Sequence, residues 1–135
     1  MAEVVTRYLG DMLFETQLGN HAIRIDVPDS MGGSDRGPTP PELFVASLGS
    51  CVGAFVASYC DKAEIDMDGM NVVVSFDKAS NPTRLTNLQV KVNMPNDGCK
   101  NREKAIKMAA SHCPVHETIK TFEGLQLDLQ AGKIK

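Results

Sequence analysis

Hydrophobic and polar positions alternate in short runs at the start of the chain. Val4 to Leu9 and Met12 to Leu18 alternate in part and are separated by Gly10-Asp11. Gly19-Asn20 is a two-residue hairpin signal, and His21 to Val27 sets Ala22, Ile23, Ile25 and Val27 among polar residues. The pattern predicts a meander of three short strands. Residues 28–38, PDSMGGSDRGP, have the composition of a loop. A second hairpin is predicted from Met70 to Phe76 and Leu85 to Met94, joined through Lys78 to Arg84, with Leu88-Gln89-Val90-Lys91-Val92 alternating. Leu-Gln-Leu-Asp-Leu at 125–129 predicts a last strand.

Two segments follow the helical period instead. Thr39-Pro40-Pro41-Glu42 is a helix start: Thr39 can cap, proline suits the first helical position, and Glu42 completes a capping box. Phe44, Leu48, Cys51, Phe55 and Tyr59 then step by 4, 3, 4 and 4 along one face. Ala46, Gly49, Ser50, Gly53 and Ala57 form a second face of small residues, where another element can approach closely. No charge falls between 43 and 60, so burial along most of the helix is expected. Asn101 to Ser111 predicts a second helix with Ala105, Met108 and Ala109 on one face. Pro114 disfavours helical geometry at Cys113 and can open a new turn. The predicted order is βββ-α-ββ-α-β, an α+β class, without repeat or linker.

The 135 residues suit one domain, 1–135, with a real core. No run approaches the roughly 20 apolar residues of a membrane helix, and MAEVVTRYLG lacks the apolar segment of a secretory signal. A cytoplasmic protein with no membrane partner is expected. The net charge of −3 and the scattered Lys and Arg argue against a nucleic-acid surface. In a reducing cytosol, Cys51, Cys60, Cys99 and Cys113 are expected as thiols rather than structural disulfides.

Candidate chemistry therefore concentrates in cysteines. Cys51 lies mid-helix on an apolar face, where most free cysteines are small hydrophobes. Cys60, near a helix end, and Cys99, in the turn Gly98-Cys99-Lys100, look more inert. Cys113, at the cap of a helix starting at Pro114, would have its thiolate favoured by backbone N–H groups, the helix dipole and His112 or His116 if protonated. A metal reading of Cys113 and His116 lacks the ligands to complete a set of four. A hydrolytic Cys–His pair lacks a recognisable oxyanion hole.

GPTPPELFVASLGSC (37–51), followed about 60 residues later by HCPVHET (112–118), resembles the OsmC-like family, which includes the organic hydroperoxide resistance proteins. The resemblance covers nearly the whole chain. It implies an intertwined homodimer with a long central buried helix and two equivalent sites near the subunit interface. It also implies a thiol peroxidase cycle, without metal or cofactor. Cys51 would attack an organic hydroperoxide and become a sulfenic acid, Cys113 would resolve it as a disulfide, and an external dithiol would restore both. The peroxide-reducing members place an arginine on the second N-terminal strand, where Met12 or Leu13 stands here. Arg36 and Arg24 are candidate substitutes, and Glu42 lies one place from the position of the family's glutamate. The rival reading is a dimer that binds a small apolar ligand or senses redox state without peroxidase activity.

Overall fold

Thr39 begins the element around which the core is built. In the computed structural model, which describes residues 1–95 and 97–132, helix α1 spans Pro40–Lys62. Its capping box is complete: Glu42 N donates to Thr39 Oγ1 at 3.3 Å, and Thr39 N donates to Glu42 Oε1 at 3.0 Å. Pro40 takes the first helical position, where its missing N–H costs nothing.

The helix buries Leu48, Val52, Val56 and Cys60, a stripe of i+4 steps. This stripe is rotated from the expected one: it shares Leu48, while Phe44 and Phe55 remain exposed. The neighbours decide the rotation. A Cβ at Gly49 would lie 3.2 Å from Val74 Cγ2, and one at Gly53 would lie 3.3 Å from Val72 Cγ2. The small-residue face thus seats the second hairpin, as expected, and turns Val52 and Val56 toward the other helices. Burial along most of the helix is not observed within one chain. Contrary to the expectation that no run is apolar enough, α1 could cross a membrane by length and composition, but here β4, α2 and α3 pack on it.

The first sheet is the predicted meander, β1 (Val5–Gly10), β2 (Leu13–Leu18) and β3 (His21–Ile25), antiparallel in the order β1-β2-β3. Phe14 pairs with Ile25 and Thr16 with Ile23. The second sheet pairs β4 (Asn71–Ala79) with β5 (Arg84–Asn93), Val72 opposite Val92 and Val74 opposite Val90. The inward valines meet α1, and their neighbours face out. A 3-10 turn over Asp97–Arg102 leads into α2 (Glu103–Ser111), which starts two residues after the predicted position. Ile106 is the residue it buries, while Met108, on the face noted in the sequence, is exposed. Pro114 opens a short helix, α3 (Pro114–Thr121), with Cys113 at its cap, as the sequence suggested. The core joins Leu48, Val52, Val56, Cys60, Ile65, Ile106 and Cys113.

The α+β class holds, and the C-terminal element differs. Residues 122–131 form no strand, and Leu125, Leu127 and Leu129 are 86%, 88% and 90% exposed. The alternation is real, but a strand also needs a hydrogen-bonding neighbour, and among the described residues none pairs with these. Leu48 is where the core is most directly tested. Leu48→Ala should cost about 2–5 kcal/mol, read as a lower urea midpoint at unchanged slope.

Candidate dithiol site

Two cysteines 62 positions apart in sequence (113 − 51) meet in the fold. Cys51 rides in the middle of α1, half-buried against the core. Cys113 is the N-cap of α3 and fully buried. α3 packs on α1, and Cys51 packs against the core cluster that contains Cys113. His116 N also donates to Cys113 Sγ at 3.3 Å, in the manner of an N-cap side chain.

The electrostatics reverse the expectation for Cys113. Burial pushes its thiol up, and the neighbouring Cys51 thiol adds to that. The backbone N–H groups of His116 and Val115 oppose the shift and lose. Desolvation of a thiolate outweighs the pull of two peptide dipoles when no full positive charge lies alongside. The upward shift keeps the proton on Cys113, while Cys51 is the more accessible of the two sulfurs. At pH 8, iodoacetamide should therefore label Cys113 at least about tenfold more slowly than Cys51, measured by peptide mass after timed quenching.

His112 caps the end of α2, one residue before the site. The Nδ1 atom of His116 is buried without a hydrogen-bond partner, 3.9 Å from Glu117 Oε1. Among the described residues, no three His, Cys, Asp or Glu side chains gather as a metal would need.

The supporting candidates lie elsewhere. Glu42 is held by the cap, and its carboxyl is pulled down by its hydrogen bonds with Thr39 and by Lys78 nearby. Arg36 forms an ion pair with Asp26, Nε to Oδ2 at 2.7 Å, and its Nη2 donates to the Asp11 carbonyl at 2.8 Å. Asp26, which sequence reasoning missed, also accepts from the N–H groups of Val27, Ser34 and Arg36. The guanidinium and these donors hold its carboxyl far below the carboxylate range despite burial. No pattern marks Asp26 in the sequence, because its partners are backbone groups up to ten residues on. A Cβ at Gly37 would strike the Arg24 carbonyl, which keeps this loop tight on β3. Arg24 pairs across the first sheet with Glu15 at 3.4 Å. Glu42, Arg36 and Arg24 thus bond to Thr39, Asp26, Asp11 and Glu15 rather than to Cys51 or Cys113.

Two hairpin-built sheets and a long small-faced helix, with a later helix capped by Cys113 packed against it, define an α+β fold. The OsmC-like protein family model matches residues 32–123, a span holding both cysteines, and the chain belongs to this family. A search of curated proteins by sequence gives no match. Among solved structures, the fold is similar to a Psychrobacter arcticus 273-4 protein named for osmotic stress induction and a detoxification response. That pair has a TM-score of 0.75 and 23% identity, over 87% of this chain and 88% of the other. An OsmC-like protein from Mycoplasma pneumoniae superposes with a TM-score of 0.70 at 18% identity, over 89% and 87%. The organic hydroperoxide resistance protein OhrB of Bacillus subtilis does so with 0.60 at 20%, over 90% and 92%.

Proposed function

We propose that this protein is a thiol-dependent peroxidase that reduces organic hydroperoxides through Cys51 and Cys113, in defence against oxidative stress. The observation that carries this reading is the pair of neighbouring thiols, one half-exposed and one buried. Cys51, the accessible sulfur, attacks the peroxide, the O–O bond breaks, and the alcohol leaves. The resulting sulfenic acid lies beside Cys113, whose sulfur displaces water to form the disulfide. An external dithiol exchanges the disulfide back to two thiols. The cycle balances without metal or cofactor, and four cysteines held as thiols suit a cytoplasmic, reducing compartment. The hydroperoxide resistance proteins among the structural relatives support the substrate class. Glu42 and Arg36 serve as positioning residues: one fixes the start of α1, the other the loop that leads into it.

The same reading takes the protein to work as an intertwined homodimer. Phe44 and Phe55 on α1 and the alternating leucines at 125, 127 and 129 are exposed in one chain. A second copy would cover them and supply the strand partner that residues 125–129 lack. Light scattering at micromolar concentration should give twice the mass of one chain; a monomeric mass would contradict the arrangement.

The apolar surround of the thiols also suits the rival reading, a dimer that binds a small apolar ligand or senses redox state. Intact mass after one equivalent of cumene hydroperoxide separates the two. Loss of two hydrogens with a mapped Cys51–Cys113 bond supports the peroxidase. A mass unchanged over minutes, with both thiols still alkylated afterwards, supports the rival.

A further inference from the structure

Arg102 stands at one end of a surface strip that has Cys51 at the other. Its Nη1 donates to the Tyr59 hydroxyl at 3.1 Å, which joins the turn before α2 to α1. Tyr59 lies two i+4 steps beyond Cys51 on α1, with the exposed Phe55 between them. Helical rise sets Tyr59 about 12 Å from Cys51 along the axis. α2 flanks the same stretch: it packs on α1, begins beside Tyr59 and leads at its far end to Cys113. Helical spacing puts Ala105 and Ala109 on the flank of α2 that Arg102 begins. Both are half-buried, and Lys107 lies on the other flank, toward β5. The strip is therefore apolar between its ends, with a thiol at one and an exposed guanidinium at the other. Arg24 and Arg36 bind carboxylates within the chain. The α1 partner of Arg102 is a neutral hydroxyl, and that bond takes one of the five donors of a guanidinium.

We propose that Arg102, steadied by Tyr59, is a specificity residue: it receives the carboxylate of an amphipathic organic hydroperoxide whose peroxide group reaches Cys51. The proposal rests on the peroxidase reading of Cys51 and adds no step to that cycle. The peroxide still becomes an alcohol as the two thiols become a disulfide. The guanidinium takes the carboxylate through paired N–H donors. Phe55, Ala105 and Ala109 take the chain between, which leaves water as it binds. An extended chain of about ten carbons spans the distance at ordinary C–C bond lengths. A neutral or short hydroperoxide meets the Cys51 end alone. In the dimer a second copy would roof the strip over Phe55, and the chain would lie beneath it.

The test compares a hydroperoxide that carries its carboxylate about ten carbons away with the methyl ester of the same compound. Wild type should favour the acid by about fivefold in kcat/KM, chiefly through KM, as an exposed ion pair allows. The preference should vanish in Arg102→Gln and fade at high salt. Tyr59→Phe, which removes only the hydroxyl beneath the guanidinium, should lower it in part. Equal use of acid and ester by wild type overturns the proposal, as does a preference that survives in Arg102→Gln. If Arg102→Gln fails to fold, the wild-type ratio and its response to salt decide. A second readout needs no turnover, so it separates this proposal from the peroxidase reading. Laurate below its micelle concentration should slow iodoacetamide labelling of Cys51 in wild type and not in Arg102→Gln. Methyl laurate, without the charge, and hexanoate, too short to span the strip, should protect several-fold less. Labelling that laurate leaves unchanged, or slows equally in both proteins, overturns the proposal. Protection by laurate in a protein that reduces no hydroperoxide would sink the peroxidase reading and leave the anion site standing.

Discussion

Cys51→Ser should abolish dithiol-supported reduction of cumene hydroperoxide. The expected loss is on the order of 10³-fold, about 4 kcal/mol in the activation barrier. A serine hydroxyl is not ionised near neutral pH and cannot be carried to a sulfenic acid, so the O–O bond has no acceptor. Cys113 cannot stand in, since it is fully buried and its thiol is pushed up by that burial. Cys113→Ser should behave differently. The half-exposed Cys51 can still complete one reduction, but no neighbour then displaces water from its sulfenic acid. Peroxide loss should show a burst of about one equivalent per chain and then stall, with further oxygens appearing on Cys51 by mass as peroxide is raised. The pair of variants thus separates attack from resolution. A Cys51→Ser enzyme as fast as wild type would end the peroxidase reading and favour the ligand-binding one. A Cys113→Ser enzyme that keeps turning over at the full rate would show that another thiol resolves Cys51.

Much of the fold was legible because it rests on local signals. The capping box at Thr39, the Gly19-Asn20 turn and the alternation of residues 88–92 each specify geometry within a few residues, and each appears as expected. The misplaced features depend on partners distant in sequence. Which stripe of α1 turns inward is set by Val72 and Val74 lying over Gly49 and Gly53, and helical periodicity alone left both faces available. The alternation of residues 125–129 reads as a strand, but alternation does not supply a neighbour. The thiol site divides in the same way. Pro114 marked Cys113 as a helix cap, and the cap is present. The sign of its pKa shift was not legible, because a cap donates hydrogen bonds visible in sequence while burial is a property of packing.

Arg36→Met should lower the thermal midpoint at pH 7 by roughly 10 °C while leaving Cys51 oxidation intact below the transition. The substitution keeps an apolar stem of comparable length but strands the Asp26 carboxylate, whose side chain is fully enclosed, with three backbone donors and no countercharge. The loop then loses its hold on the Asp11 carbonyl as well. Arg36 is partly exposed, so solvent screens the pair and moderates the effect. The pH dependence identifies the cause. The folded-state pKa of Asp26 is depressed, so its contribution is fully present above the unfolded value of about 3.9 and fades as pH falls toward the folded one. Wild type should therefore lose this stability progressively below about pH 4. The gap between wild type and Arg36→Met should narrow over the same range, because protonation removes the stranded charge. Arg36→Lys restores a charge without the planar fork that spans Asp26 and Asp11, so it should recover part of the midpoint. Equal midpoints for wild type and Arg36→Met at pH 7 would refute the ion-pair latch. A loss of peroxide reduction at 15 °C in folded Arg36→Met, with its midpoint unchanged, would instead make Arg36 a group that acts on the thiols.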